Sequence, residues 1–211
     1  MSLQYCNVIS QRNYIDCVKW LAVFILLFSC NVLIAQNGTY QKKYKNGSYC
    51  YVSFQKDGNA VKAEIFAWWN TPSSQTGSYY GTGTLKAGTC VLKSSENEPD
   101  CKVTLAMEGT NLRMTYDGCA TDHLTGDFNG LYTKITDAVA GDYVVNAEKA
   151  YFHSKPQTAS NQKAYVLKGD RVTLNLDRII PGNWVNVYFV GANGKETSGY
   201  IPLANLKKAD K

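Results

Sequence analysis

The sequence predicts an all-β fold built from short antiparallel strands. Beyond residue 36, apolar and polar side chains alternate, which is the period of a strand with one buried face. Turn-forming pairs such as Asp57-Gly58 and Asp117-Gly118 separate these segments. The sequence has fifteen tyrosines and four tryptophans against seven phenylalanines, and such amphipathic rings suit sheets that have one solvent-exposed face. Short strands joined by tight turns favour a β-barrel or sandwich.

Residues 1–35 are predicted to be a signal peptide. Arg12 and Lys19 form a basic flank, and the apolar stretch 20–28 is too short to cross a bilayer as a helix. Polar sequence follows Ala35, so we expect the mature chain to begin at Gln36. Alternatively, residues 27–30 resemble a lipoprotein cleavage box, in which Cys30 would be acylated and bring the chain to a membrane; an uncleaved anchor is the third possibility. Each alternative places the folded part in the periplasm, the cell envelope or the extracellular space.

Four cysteines remain after the leader, and an oxidising compartment favours their pairing as two disulfides. We expect Cys90 to bond Cys101 across a charged turn and Cys50 to bond Cys119, although the spacing permits three connectivities. The spacing contains no C-x-x-C pair, so a zinc site is not predicted, and Cys119 with His123 is a weak metal signal alone.

Two β-rich modules are predicted, covering residues 36–137 and 138–211. In the first, alternation marks strands at residues 49–54, 61–68, 102–107 and 111–116. The boundary falls in the small and polar segment 137–142, which we expect to open cheaply and to be accessible to proteases. Charge also divides there: the first module holds ten Lys/Arg against ten Asp/Glu, and the second holds ten against six.

The second module carries a series of motifs with a characteristic order and spacing. Residues 150–156 form a strand followed by a small loop and Pro156, and residues 167–172 contain a Lys-Gly turn that leads into a strand. Gly182-Asn-Trp184 and Gly199-Tyr-Ile-Pro202 follow. From Tyr143 to Leu206 the chain resembles the bacterial SH3-like (SH3b) family, which implies a small barrel. Its members are mostly cell-envelope modules that bind peptides or peptidoglycan, and the family indicates a fold more than a function.

Alternation assigns the faces of this module. It directs Ala150, Phe152, Val185 and Val187 inward and turns neighbouring rings outward. Pro202 is placed where a strand ends and a single turn begins, because it needs no amide donor there. The predicted ligand-binding face therefore contains Tyr151, His153, Trp184, Tyr188 and Pro202. Two interpretations of these rings stay open: they form a groove for an envelope ligand, or they cover the flank of the barrel, where the first module can bury them.

The first module has a weaker resemblance. Cys101-Lys-Val-Thr-Leu105, the closing residues 126–132 and the stretch 76–81 are similar to small secreted β-barrels among bacterial lysozyme inhibitors. This resemblance implies inhibition of a cell-wall hydrolase.

The sequence shows no recognisable catalytic motif. His123 and His153 are the two histidines, and neither has a nucleophile motif or a metal-spaced partner nearby. A glycan hydrolase remains an alternative, because the paired carboxylates it needs are available among Glu64, Asp117, Asp122 and Asp127. A net charge of +5 without a basic stretch does not favour nucleic-acid binding.

We therefore expect an exported, non-enzymatic binding protein that needs no cofactor and holds no metal. Its partner is predicted to be a cell-wall peptide or glycan, or a secreted protein. Contact with a membrane is expected only if Cys30 is lipidated.

Intact-mass analysis of protein exported by its native host tests the leader prediction. The mass should correspond to a chain that begins at Gln36, because the apolar core of the leader suits removal by signal peptidase. A mass that fits a diacylated Cys30 would instead establish a lipoprotein.

Overall fold

A computed structural model describes residues 36–94, 100–119 and 126–209 and confirms the all-β fold class. Gln36–Lys211 forms one compact unit, and its strands pair into two antiparallel sheets. The predicted signal peptide, Cys30, Asp122 and His123 lie outside the described residues. No helix within the described part of the chain has the length and apolar character needed to cross a membrane.

The first sheet contains eight strands paired in the order β4-β3-β2-β1-β8-β7-β6-β5. Its open ends meet where Thr82 and Lys93 exchange backbone hydrogen bonds of 2.9 and 2.8 Å, so the sheet nearly closes into a barrel. The strands are β1 (Gly38–Lys43), β2 (Tyr49–Asp57), β3 (Ala60–Trp68), β4 (Thr76–Thr84), β5 (Thr89–Leu92), β6 (Lys102–Glu108), β7 (Asn111–Asp117) and β8 (Gly130–Thr136).

Inward side chains along these strands form the first core, in which alternate positions are buried as the sequence predicts. Two glycines of β4 make room for larger neighbours. A Cβ atom at Gly81 would lie 2.6 Å from the Tyr79 ring, and one at Gly83 would lie 2.5 Å from the Cys90 sulfur. The glycine-rich β4 therefore lets the barrel interior hold a tyrosine ring and a thiol that any larger residue would displace.

The barrel interior also holds hydroxyl and thiol groups. The Tyr132 hydroxyl donates to the Phe128 carbonyl at 2.7 Å, and the Tyr116 hydroxyl donates to the Met114 sulfur at 3.1 Å. Burial raises the pKa of the Cys50 thiol to about 12, although the neighbouring Tyr132 and Tyr116 hydroxyls lower it in part. Cys50 is therefore a neutral thiol in the core at physiological pH.

The predicted cysteine pairing is wrong. The structure bonds Cys101 to Cys119 and leaves Cys50 and Cys90 as buried free thiols. The strand register explains this result: Lys102 pairs with Asp117, so the two bonded cysteines lie just beyond one end of the β6–β7 hairpin, with Cα atoms 4.1 Å apart. Cys90 pairs with Leu105, four residues or about 13 Å along the strand from Cys101.

The second sheet contains seven strands in the order β11-β10-β14-β13-β12-β9-β15. Its inward residues Ala150, Phe152, Val172, Val185 and Val187 are each at most 1% exposed, as alternation predicts. Pro202 ends β14 and a 3-10 turn, Leu203–Asn205, follows it, also as predicted. The strands are β9 (Gly141–Val145), β10 (Lys149–His153), β11 (Asn161–Leu167), β12 (Arg171–Leu174), β13 (Trp184–Val190), β14 (Glu196–Pro202) and β15 (Leu206–Lys208).

The segment between the two sheets is not the open linker that its composition predicts. Ala138 and Val139 are 1% and 6% exposed. The Thr39 hydroxyl donates to the Ala138 carbonyl at 2.7 Å, and the Ala140 amide donates to the Ser53 hydroxyl at 2.6 Å. Small side chains leave backbone groups that still require partners, and residues of the first sheet supply them. Easy protease access is therefore not expected here.

Thiol counting tests the cysteine assignment in the chain 36–211. The folded protein should react slowly, because Cys50 and Cys90 are 0% and 1% exposed. Denaturation should reveal two thiols without reductant and four with reductant.

The double variant C101S/C119S is the matched control, and it should reveal two thiols under both conditions. It should also unfold at lower urea concentration, because the bond closes an 18-residue separation and such loops contribute about 3 kcal/mol. Four thiols without reductant in the wild-type chain would contradict the assignment.

Candidate functional site

Three of the predicted ligand-binding residues lie together on the second sheet. In the register, Trp184 faces Pro202 across β13 and β14, and His153 faces Tyr200 across β10 and β14. The His153 and Trp184 rings pack edge to face, with centroids 4.9 Å apart and planes at 80°. Three neighbouring strands therefore bring the His153 and Trp184 rings together beside the Pro202 position.

His153 is not the exposed ring that alternation predicts. His153 is only 9% exposed, and its Nδ1 has no hydrogen-bond partner among the described residues. Trp184 packs against it and stays half-buried. His153 therefore supports the tryptophan ring, while Trp184 and Pro202 keep surface that solvent can reach.

Tyr188 shares the outward face of β13 but lies far from Trp184. It pairs with Ser198 and Thr173, four residues or about 13 Å along the strand from Trp184. Between them Asn186 is buried and its side-chain oxygen accepts from the Asn175 amide at 2.8 Å. The structure therefore does not join Tyr188 to the set formed by His153, Trp184 and Pro202, which we call the Trp184 group.

Tyr151 belongs to a different aromatic pair, which sequence reasoning missed. It faces Tyr165 across β10 and β11, with ring centroids 5.8 Å apart and planes at 64°. The Lys149 ammonium lies 3.8 Å from the Tyr165 centroid and 4.7 Å from that of Tyr151. A hydrogen bond to Tyr151 raises the pKa of Lys149, so this ammonium keeps its charge. The sequence did indicate this pair, because alternation along the strand turns Tyr165 outward between Ala164 and Val166.

The first sheet packs against the second in a cluster that contains none of the predicted ligand-binding rings. Tyr51 of β2 is 7% exposed and packs in one cluster with Leu176 and Ile179. Burial raises the pKa of Tyr51 to about 12, and nearby Tyr49, Asp177 and Tyr200 raise it further. Neither His153 nor Trp184 belongs to this cluster.

An open cavity of about 750 Å³ lies elsewhere between the sheets. Lys62 and Glu64 line it from β3, and Asp142 and Arg171 line it from β9 and β12. Asp142 accepts from the Thr173 hydroxyl at 2.7 Å and from Arg171 at 3.3 Å, and these bonds lower its pKa. Desolvation instead raises the pKa of Glu64, although the Lys208 charge opposes this effect. Charges of both signs line this cavity.

The carboxylates considered for glycan hydrolysis are not gathered in this cavity. Glu64 lines it, whereas Asp117 ends β7 and Asp127 belongs to a 3-10 turn, Gly126–Phe128, and neither lines it. Over the residues that the structure describes, His, Cys, Asp and Glu form no group of three or more able to hold a metal ion.

In comparisons with known proteins, no protein-family model matches the chain, and no similar curated protein or solved structure was found.

The Glu64 environment predicts a pH-dependent contribution to stability. A carboxyl whose pKa is higher in the folded chain than in the unfolded chain opposes folding when ionised, and the penalty disappears once pH falls below both values. Glu64→Gln should therefore raise the urea midpoint slightly at pH 7 and leave it nearly unchanged near pH 3. The effect should be small because Glu64 remains open to solvent.

The matched control for this measurement is Glu196→Gln at an exposed position of β14. An equal gain at both pH values, or an equal gain in the control, would contradict the assignment to desolvation of Glu64.

Proposed function

We propose that this chain is an exported, non-enzymatic binding protein that engages a cell-envelope peptide or glycan through an SH3-like module at residues 138–211. Trp184 and Pro202 contact the ligand, and His153 holds the tryptophan ring in position. Tyr151 and Tyr188 lie on the flanks of this contact surface.

The strand order supports the SH3-like part of the proposal. Strands β15, β9, β12, β13 and β14 are paired in succession, and the β10–β11 hairpin is attached to β14. Pro202 leads into a 3-10 turn that precedes the last strand. This arrangement agrees with the motif order of residues 143–206 and with a small barrel built from short strands.

The observation that carries the binding proposal is the state of Trp184. Its half-exposed ring packs edge to face against the ring of the buried His153, with the centroids 4.9 Å apart. In the sheet, Trp184 pairs with Pro202 of the neighbouring strand. A flat ring held by its neighbours loses little conformational freedom on binding, which is why tryptophans dominate many binding surfaces. The arrangement suits stacking on a sugar or contact with an extended peptide.

Two further features support an envelope location. The Cys101–Cys119 disulfide is typical of an oxidising compartment. The second module carries four more Lys/Arg than Asp/Glu, which adds a weak, salt-sensitive attraction to anionic polymers.

Co-sedimentation of the chain 36–211 with purified peptidoglycan tests this function. Trp184→Ala should weaken binding at least about tenfold, a change of about 1.4 kcal/mol, because it removes the exposed stacking surface. Trp184→Phe should retain much of the binding, since it keeps a flat ring.

Trp68→Ala is the matched control, because Trp68 is a half-buried tryptophan of the first sheet. Melting temperatures of all variants show whether each one folds. Unchanged binding by a folded Trp184→Ala variant would exclude the proposed site.

Inhibition of a cell-wall hydrolase is the second candidate, and the near-closed barrel of the first sheet favours it. The same protein preparations, added to lysozyme, separate the two functions. Equal inhibition by wild type and Trp184→Ala would show that inhibition does not depend on the proposed ligand-binding site.

A further inference from the structure

An exposed apolar strip covers the outer face of the β10–β11 hairpin. Tyr151, Tyr165 and Leu167 are 38%, 47% and 50% exposed, and the two tyrosines face each other across the strands. These are among the most exposed large apolar side chains of the described residues. Folding leaves the rings accessible, so they contribute little to the core and remain available to a ligand.

The same hairpin carries an excess of positive charge. Lys149 lies over both rings, while Lys155 and Lys163 belong to the hairpin loop and to β11. Within the described residues, none of these three lysines forms a salt bridge, whereas Lys168 pairs with Glu148 at 2.6 Å. The strip therefore combines ring faces with ammonium groups that are not neutralised by a bound carboxylate.

The strip continues toward the Trp184 group. Tyr151 of the strip and His153 beside Trp184 both belong to β10, on either side of the buried Phe152. Strands β11 and β13 are separated by β10 and β14, so the distance between them is three strand spacings, or about 14 Å. A short ligand reaches one ring pair, and a chain-like ligand reaches both.

We propose that the Tyr151–Tyr165–Lys149 group is a second contact site for the ligand of Trp184, and that this ligand is an anionic polysaccharide strand. The rings stack on sugar faces while Lys149 and its neighbouring lysines attract carboxylate or phosphate groups along the strand. This proposal rests on the function assigned to Trp184 above.

The edge of the sheet favours a glycan over a peptide that adds as a further β-strand. Strand β11 is an edge strand, but the Leu167 amide already donates to the Asp170 carboxylate at 2.8 Å. Lysine at position 163 on the same edge strand also discourages strand addition. The available recognition is therefore through side-chain faces and charge rather than through the backbone.

Titration with peptidoglycan glycan strands freed of their stem peptides tests the proposal, because these strands carry carboxylates. A disaccharide and a long strand are compared, with a neutral chito-oligosaccharide of equal length as the ligand control. Tyr165→Ala and Lys149→Gln should weaken binding of the long anionic strand roughly fivefold and leave disaccharide binding unchanged. Trp184→Ala should weaken both.

Leu131→Ala is the matched protein control, because Leu131 is an apolar residue of the first sheet that is 40% exposed. Equal binding of the long strand by wild type and Tyr165→Ala would overturn the second contact site, and equal binding of the neutral oligosaccharide would overturn the anionic assignment. Loss of stem-peptide binding in Tyr165→Ala would identify a peptide ligand instead. An effect of Tyr165→Ala without any effect of Trp184→Ala would refute the Trp184 site alone.

Discussion

The arrangement of this molecule depends on how residues 138–143 are held where the chain passes from one sheet to the next. The Tyr143 hydroxyl donates to the Val139 carbonyl at 2.7 Å and accepts from the Val139 amide at 2.9 Å. Thr39 and Ser53 of the first sheet bond the neighbouring backbone groups. Because Thr39 belongs to β1 and Ser53 to β2, these bonds hold the start of β9 against both strands. Hydrogen bonds therefore help apolar contacts to position the second sheet.

The alternating pattern was sufficient for the strands and much of the core, because a period of two residues directly reports which side chains share a face. It correctly placed β2, β3, β6 and β7 and the inward residues around Phe152. It could not supply the register between strands, and cysteine pairing is a consequence of register. Cys101 meets Cys119 because Lys102 pairs with Asp117, and nothing in the spacing of the cysteines distinguishes this pairing from the others.

The candidate site, like the fold, is predicted only in part by the alternating pattern. Alternation directed His153 away from the core, but whether an outward ring stays exposed depends on its neighbours, and Trp184 covers it. Tyr188 shares a face with Trp184 without contacting it, since residues that are four apart on a strand are well separated. Composition gives a wrong prediction at residues 137–142, because small side chains do not show which backbone groups the first sheet binds.

The two buried thiols affect what happens to the disulfide after the chain unfolds. In the folded state the Cys50 thiol is almost entirely protonated, because burial raises its pKa to about 12, and a protonated thiol is a poor nucleophile toward the Cys101–Cys119 bond. Once unfolded, both Cys50 and Cys90 regain ordinary acidity and can exchange with that disulfide. An exchanged bond would join cysteines that the native register keeps apart, so such a chain would have to restore the Cys101–Cys119 bond before it could refold.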